Sequence, residues 1–264
     1  MVSTGRVPRT QVYYEVTGEG PPLVLVHSGG FDRRLWDEQF FGFADRHTVI
    51  RYDVRGHGES PPPTKPYSDV EDLYSLLQWL NIGKAHVVGL SLGGSIVIDF
   101  ALAHPQMIET LILVAPDVNG YAFSAEFTYG FIKLVTSIEV DDGAPAGDLW
   151  LQSSILAPAM ENPAVAQKLR LIARANARFW LINPLFRRDA FASPPATQRL
   201  AEIHTPALLI VGDRHIPDVL KEARLLESGV AGIERVVIPG AGHIVNMEKP
   251  EEFNRAMRDF LSAQ

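Results

Sequence analysis

The sequence predicts an α/β fold, a mostly parallel twisted sheet with helices on both faces. Three observations lead there. Short continuous apolar runs such as Leu23-Val24-Leu25-Val26 have the length and character of strands covered on both sides. Segments with helical periodicity separate these runs, so successive strands must connect through crossovers and lie parallel. Turns rich in Gly, Ser, Asp and His follow the strands at their carboxyl ends, where sheets of this kind build their sites.

Taken in order, Thr10 to Thr17 alternates polar and apolar residues as a strand, and Gly18-Glu19-Gly20-Pro21 turns the chain. Pro22 to His27 is a central strand that ends in His27-Ser28-Gly29-Gly30. Phe31 to Phe43 spaces Leu35, Trp36, Phe40 and Phe41 as a short helix would. Thr48 to Tyr52 is the next strand, followed by Asp53-Val54-Arg55-Gly56-His57-Gly58-Glu59-Ser60 and a proline-rich loop from Pro61 to Pro66. Ser68 caps a helix, with Glu71 completing a capping box and Leu73, Leu76, Leu77 and Leu80 forming its apolar stripe. The strand His86 to Leu90 then runs straight into a helix that stops near His104-Pro105, where proline disfavours its continuation. Thr110 to Ala115 is another buried strand.

From about Asp117 to Leu200 the rhythm changes. Strands cease, Pro and Ala become frequent, and aromatic residues scatter (Phe123, Phe127, Tyr129, Phe131, Trp150, Phe179, Trp180). This stretch, with an amphipathic helix over Val165 to Ile182, is expected to be a helical insertion, residues 117–200, in a core made of 1–116 and 201–264. The alternation resumes with a strand at Ala207 to Val211, a helix at Pro217 to Glu227, a strand at Arg235 to Ile238 and a closing helix at Pro250 to Leu261.

Composition narrows the function classes. With 264 residues, 46% hydrophobic and 21% charged, the chain has the makeup of a globular protein with a sizeable core. A net charge of -7 with no Lys/Arg cluster argues against nucleic acid. The absence of cysteine removes disulfides, thiolate metal sites and cysteine nucleophiles. Met1 to Gln11 lacks the apolar core of a signal peptide, and no run approaches the ~20 apolar residues of a membrane span. A cytoplasmic protein acting on a small molecule, away from membranes, is the expectation. Gly89 to Gly94 lacks the spacing of a dinucleotide fingerprint, so no cofactor is expected. His215 and Asp218 stand at i, i+3, but no third metal ligand accompanies them.

The most informative stretch is Val87-Val88-Gly89-Leu90-Ser91-Leu92-Gly93-Gly94. Gly-x-Ser-x-Gly between a strand and a helix is a nucleophile elbow, a tight turn that holds the serine at the edge of the sheet. The helix start then points free N–H groups at any oxyanion forming beside Ser91. The plain alternative is a glycine-rich turn with an incidental serine. A serine hydroxyl needs a base, most often a histidine oriented by a third group. His243, in Pro239-Gly240-Ala241-Gly242-His243 after the last strand, sits where such a base would. His27 and His57 are expected to bond backbone within their tight turns. His47, His86, His104 and His204 are expected at the surface or at element boundaries.

These motifs together resemble the α/β-hydrolase superfamily over nearly the whole chain: the elbow at 89–93, His27-Ser28-Gly29-Gly30, Asp53-x-Arg55-Gly56-His57-Gly58-x-Ser60, and Gly240-x-Gly242-His243. The resemblance implies an α/β-hydrolase fold, with 117–200 as its helical lid between strands six and seven. It also implies Ser91 as nucleophile, His243 as base, and an oxyanion hole from the backbone N–H groups of Gly29 and Leu92. Ser28 stands where a glycine is usual. Serine at the elbow argues against the epoxide-hydrolase and dehalogenase branches.

The third member departs from the pattern. Relatives read Gly-x-x-Asp after strand seven, whereas this chain reads Gly212-Asp213-Arg214-His215-Ile216-Pro217-Asp218, which puts His215 at the acid position. Asp213 is the favoured substitute because it needs only a small change of loop path, with Asp117 and Asp218 as alternatives. Contact between His215 and His243 is a further possibility. The expected activity is serine hydrolysis of an ester or lactone of small to medium, largely apolar character, nearest the esterase and enol-lactonase group. Carbon–carbon bond hydrolysis, cofactor-free perhydrolysis and non-catalytic ligand binding on the same fold are the alternatives.

Overall fold

A computed structural model describes residues 1–136, 144–179 and 193–264. Eight strands form one sheet: β1 (Ser3–Arg6), β2 (Tyr13–Thr17), β3 (Pro22–Val26), β4 (Thr48–Tyr52), β5 (Ala85–Leu90), β6 (Ile108–Val114), β7 (Ala207–Gly212) and β8 (Glu234–Ile238). Their spatial order is β1-β2-β4-β3-β5-β6-β7-β8. The first two strands join antiparallel at one edge and every later pairing is parallel. The apolar runs explain the centre: β5 and β7 are buried along their whole length. Tyr13–Thr17 is half-buried, as its alternation implies.

The helices are α1 (Asp37–Gly42), α2 (Asp69–Trp79), α3 (Leu92–Ala103), α4 (Ala125–Thr136), α5 (Ala144–Trp150), α6 (Ala157–Glu161), α7 (Pro163–Ala175), α8 (Pro217–Gly229), α9 (Val245–Glu248) and α10 (Pro250–Ser262). Ser68 Oγ accepts the Glu71 N–H at 3.1 Å, the first half of the expected capping box, and Leu73, Leu76 and Leu77 turn inward from α2. Helix α3 is buried on nearly every side, which suits its almost wholly apolar sequence.

Helices α4 to α7 occupy the excursion between β6 and β7, and no strand interrupts them among its described residues. The amphipathic helix expected over 165–182 is α7, which ends at Ala175; Trp180 and the residues to 182 lie outside the described set. Asp218, at the start of α8, accepts the Ser124 N–H and Oγ–H at 2.9 and 2.8 Å and so anchors the entry to α4. Among the described residues no helix is long and apolar enough to cross a membrane.

Candidate active site

The site grows from the end of β5. Ser91 has φ 55° and ψ -116°, a conformation that costs a non-glycine residue roughly 1–3 kcal/mol and persists only where its surroundings impose it. Here they do. Its N–H donates to Val114 O at 3.1 Å, and its carbonyl accepts the N–H groups of Ser95 and Asp117, each at 3.1 Å. A Cβ at Gly93 would collide with the carbonyl oxygens of Val26 and His27, and one at Gly89 would collide with Gly93 itself. Glycine is therefore required for strand and helix to approach so closely.

Beside Ser91 lie two candidate oxyanion donors. The N–H groups of Leu92, the first residue of α3, and of Gly29 make no hydrogen bond among the described residues. They belong to touching segments, since a Cβ at Gly29 would stand 3.3 Å from Leu92 Cδ2.

The loop that carries Gly29 is held by two buried imidazoles. His27 Nε2 accepts the Val54 N–H at 2.9 Å and its Nδ1–H donates to Ser28 O at 2.8 Å. His57 Nε2 accepts the Gly30 N–H at 3.2 Å while Nδ1–H donates to Val54 O at 3.1 Å. Burial pushes the His27 pKa down to about 4, and burial with the His27 charge pushes His57 well below the usual range. Both rings are neutral struts between backbone segments, as expected. Phe179, from the excursion, closes over this corner with its ring 4.1 Å from that of His57. His86 departs from expectation: it is buried within β5 and bonds Thr110 Oγ1 at 2.9 Å.

His243 follows β8 and is fully buried. Glu248 accepts the N–H groups on either side of it, Gly242 at 2.8 Å and Ile244 at 2.9 Å, which sets the path of its loop. Its Nδ1 lies 2.8 Å from His215 Nε2. Its Nε2 is buried with no hydrogen-bond partner, so no bond joins it to Ser91 Oγ in this conformation. Burial, with the His215 charge, lowers the His243 pKa well below the usual value, and burial pushes His215 down to about 4.

The assignment of Asp213 as the third member is corrected. Asp213 is exposed and its Oδ1 accepts the Gly240 N–H at 2.7 Å, so its carboxylate closes the β8 turn and does not reach His243. The neighbouring Arg214 turns outward to pair with Glu161 at 2.7 Å. Asp218 is spent on Ser124. Asp117 lies next to Glu222, whose carboxyl is raised by burial and by the Asp117 charge. Among the described residues the partner of His243 Nδ1 is His215, the contact noted above as a further possibility.

Sequence reasoning missed Asn176. Its Nδ2 donates to Asp32 Oδ2 and Ile172 O at 2.7 and 2.8 Å, and its Oδ1 accepts the Gly58 N–H at 2.6 Å, joining the end of α7 to two core loops. An asparagine just past a helix is a familiar cap, and nothing in its neighbours betrays those distant partners. A cavity of about 780 Å³ opens between α4, α5 and the start of α8, lined by Phe127, Phe131, Leu149 and Ile216 among others. Neither Ser91 nor His243 lines it.

Comparison with known proteins agrees with the fold. Residues 23–256 match the model of the alpha/beta hydrolase family, and the chain belongs to that family as one of its enzymes. It is 29% identical over 94% of its length to a putative carbamate hydrolase of Azorhizobium caulinodans, 94% of which is covered. It is also 29% identical, over 94% of its length, to the acetyltransferase component of the acetoin cleaving system of Pseudomonas putida, but spans only 66% of that protein. The enol-lactonase from Burkholderia xenovorans superposes with a TM-score of 0.82 at 27% identity, covering 98% of this chain and all (100%) of that one.

Proposed function

We propose that the chain is a serine hydrolase of esters or lactones, small to medium in size and largely apolar. The observation that carries this reading is Ser91, held in a strained elbow beside two unbonded N–H groups of Gly29 and Leu92. Ser91 Oγ bonds to the substrate carbonyl carbon and the carbonyl electron pair moves to oxygen, where those N–H groups receive the charge. Such preorganised donors are worth about 3–4 kcal/mol each because they need no reorientation as charge develops. The hydroxyl proton passes to His243 Nε2, which then returns it to the leaving alkoxide; water repeats the sequence on the acyl-enzyme. That transfer needs a His243 whose proton is on Nδ1.

The excursion 117–200 acts as a cap over the core formed by 1–116 and 201–264, and Phe179 supplies an apolar wall beside the oxyanion loop. The enol-lactonase likeness supports a lactone or ester over an amide. The test is a panel of p-nitrophenyl esters and lactones with a Ser91→Ala control. Ser91→Ala is expected to abolish turnover of the best substrate and labelling by a fluorophosphonate. Retained turnover in that variant would remove the reading. A second reading, ligand binding without turnover, is favoured by one observation, the histidine at position 215. It predicts saturable binding of an apolar ester with no release of alcohol.

A further inference from the structure

We propose that His215 is a positioning residue that holds His243 in the tautomer protonated on Nε2, so that Ser91 faces a hydrogen-bond donor where a base is needed. The inference rests on the Ser91/His243 reading and concerns the rate at which that pair works.

The argument follows one chain of hydrogen bonds. The Ile216 N–H donates to His215 Nδ1 at 3.0 Å. A backbone amide can only donate, so His215 Nδ1 carries a lone pair and the proton of this neutral ring is on Nε2. That Nε2–H points at His243 Nδ1, 2.8 Å away, which must accept. The proton of His243 is then on its own Nε2, the buried atom without a partner. A carboxylate in place of His215 could accept at both positions at once. A neutral imidazole accepts at one only, and the backbone has taken it.

Exposing a lone pair at His243 Nε2 requires its proton to move to Nδ1 and the His215 proton to move to Nδ1 of its own ring. The latter would face the Ile216 N–H, replacing a hydrogen bond with two opposed donors in a part-buried site. Proton transfer from Ser91 would also create an imidazolium to which no carboxylate is hydrogen-bonded among the described residues. The nearby carboxylates are spent elsewhere: Asp213 on Gly240, Glu248 on Gly242 and Ile244, and Glu161 on Arg214. Burial makes both rings resist protonation, and His215 adds to the effect at His243. When the acid of a serine-protease triad becomes an amide, the same inverted tautomer lowers turnover by about 10⁴.

The experiment compares wild type, His215→Asp and His215→Asn on the best ester of the panel, alongside ¹⁵N NMR of the wild-type imidazoles. His215→Asp is expected to raise kcat/KM by about 10²–10⁴-fold and to bring in a neutral-range inflection as the carboxylate draws a proton onto His243. His215→Asn offers one acceptor and one donor, like the histidine, and is expected to stay within severalfold of wild type. NMR is expected to find His243 protonated on Nε2. A wild-type His243 protonated on Nδ1, or a His215→Asp enzyme no faster than wild type, overturns the inference. If His215→Asp gains activity that the added Ser91→Ala exchange leaves intact, the Ser91 reading fails instead. Should His215→Asp not fold, the NMR assignment decides alone.

Discussion

Removal of the Asn176 side chain tests how the excursion is tied to the core. Asn176 is 2% exposed and makes three hydrogen bonds, one of them to the Asp32 carboxylate. Asp32 is itself buried, yet its pKa is held down to about 2, against burial, by the Arg34 guanidinium and the Asn176 amide. In Asn176→Ala the carboxylate loses one charge-assisted bond, worth about 1.5–3 kcal/mol, and the Gly58 N–H loses its acceptor, which costs about 1–3 kcal/mol. Partial hydration of the vacated space offsets some of this, leaving an expected loss of roughly 2–4 kcal/mol. In a domain of this size that lowers Tm by about 5–12 °C. Urea unfolding followed by tryptophan fluorescence measures the first figure and calorimetry the second. Because Asp32 lies just beyond Gly29 and Gly30, kcat/KM on the best ester should fall as well. A midpoint within about 0.5 kcal/mol of wild type would refute the reasoning, since it would mean these bonds are remade by water at no cost.

Acid should destabilise the fold before it protonates most carboxylates. A histidine whose folded pKa lies below its unfolded value contributes stability that is complete above the unfolded value and lost as pH falls through it. For His27, down to about 4 from an ordinary 6.5, the loss at pH 5 is about 2 kcal/mol, and His57, His215 and His243 act in the same sense. Asp53, Glu222 and Glu248, all raised by burial, work against them but are outnumbered. Urea midpoints at pH 7 and pH 5 check this, and equal midpoints would contradict it. Glu222→Gln should stabilise the protein increasingly as pH rises above the ordinary glutamate range, because a raised carboxyl loses its contribution with rising pH and the amide does not. A gain identical at pH 4 and pH 8 would exclude that cause.

Much of this fold can be read in the sequence because central parallel strands announce themselves as unbroken apolar runs. Thr48–Tyr52 matches its expected bounds, and β3, β5, β6, β7 and β8 fall within a residue or two of theirs. β1 escaped notice because Ser-Thr-Gly-Arg at an exposed edge has no apolar signal, and its pairing with β2 comes from the antiparallel register alone. The tight turn at Ser91 and the histidine-braced loop at Gly29 were legible since each is a local motif. The partner of His243 was half legible. The Gly-x-x-Asp spacing of the resembled family puts His215 at the acid position, but the path of a short loop decides whether Asp213 or His215 turns inward. That path depends on Asp213 finding the Gly240 N–H, 27 residues away. Asn176 acts through the Gly58 N–H, 118 residues away, which no local pattern reports.

The imidazoles of His27 and His57 lock the shelf that bears Gly29 to the main chain at both of their nitrogens. The loop that carries Gly29 is thus secured from beneath, by atoms of the core, while Phe179 from the excursion packs against its other side. Rebuilding that side for a different acyl group should leave the shelf undisturbed. Under the proposed function, substrate preference could drift by exchange of side chains above Gly29 without disturbing the bonds below it.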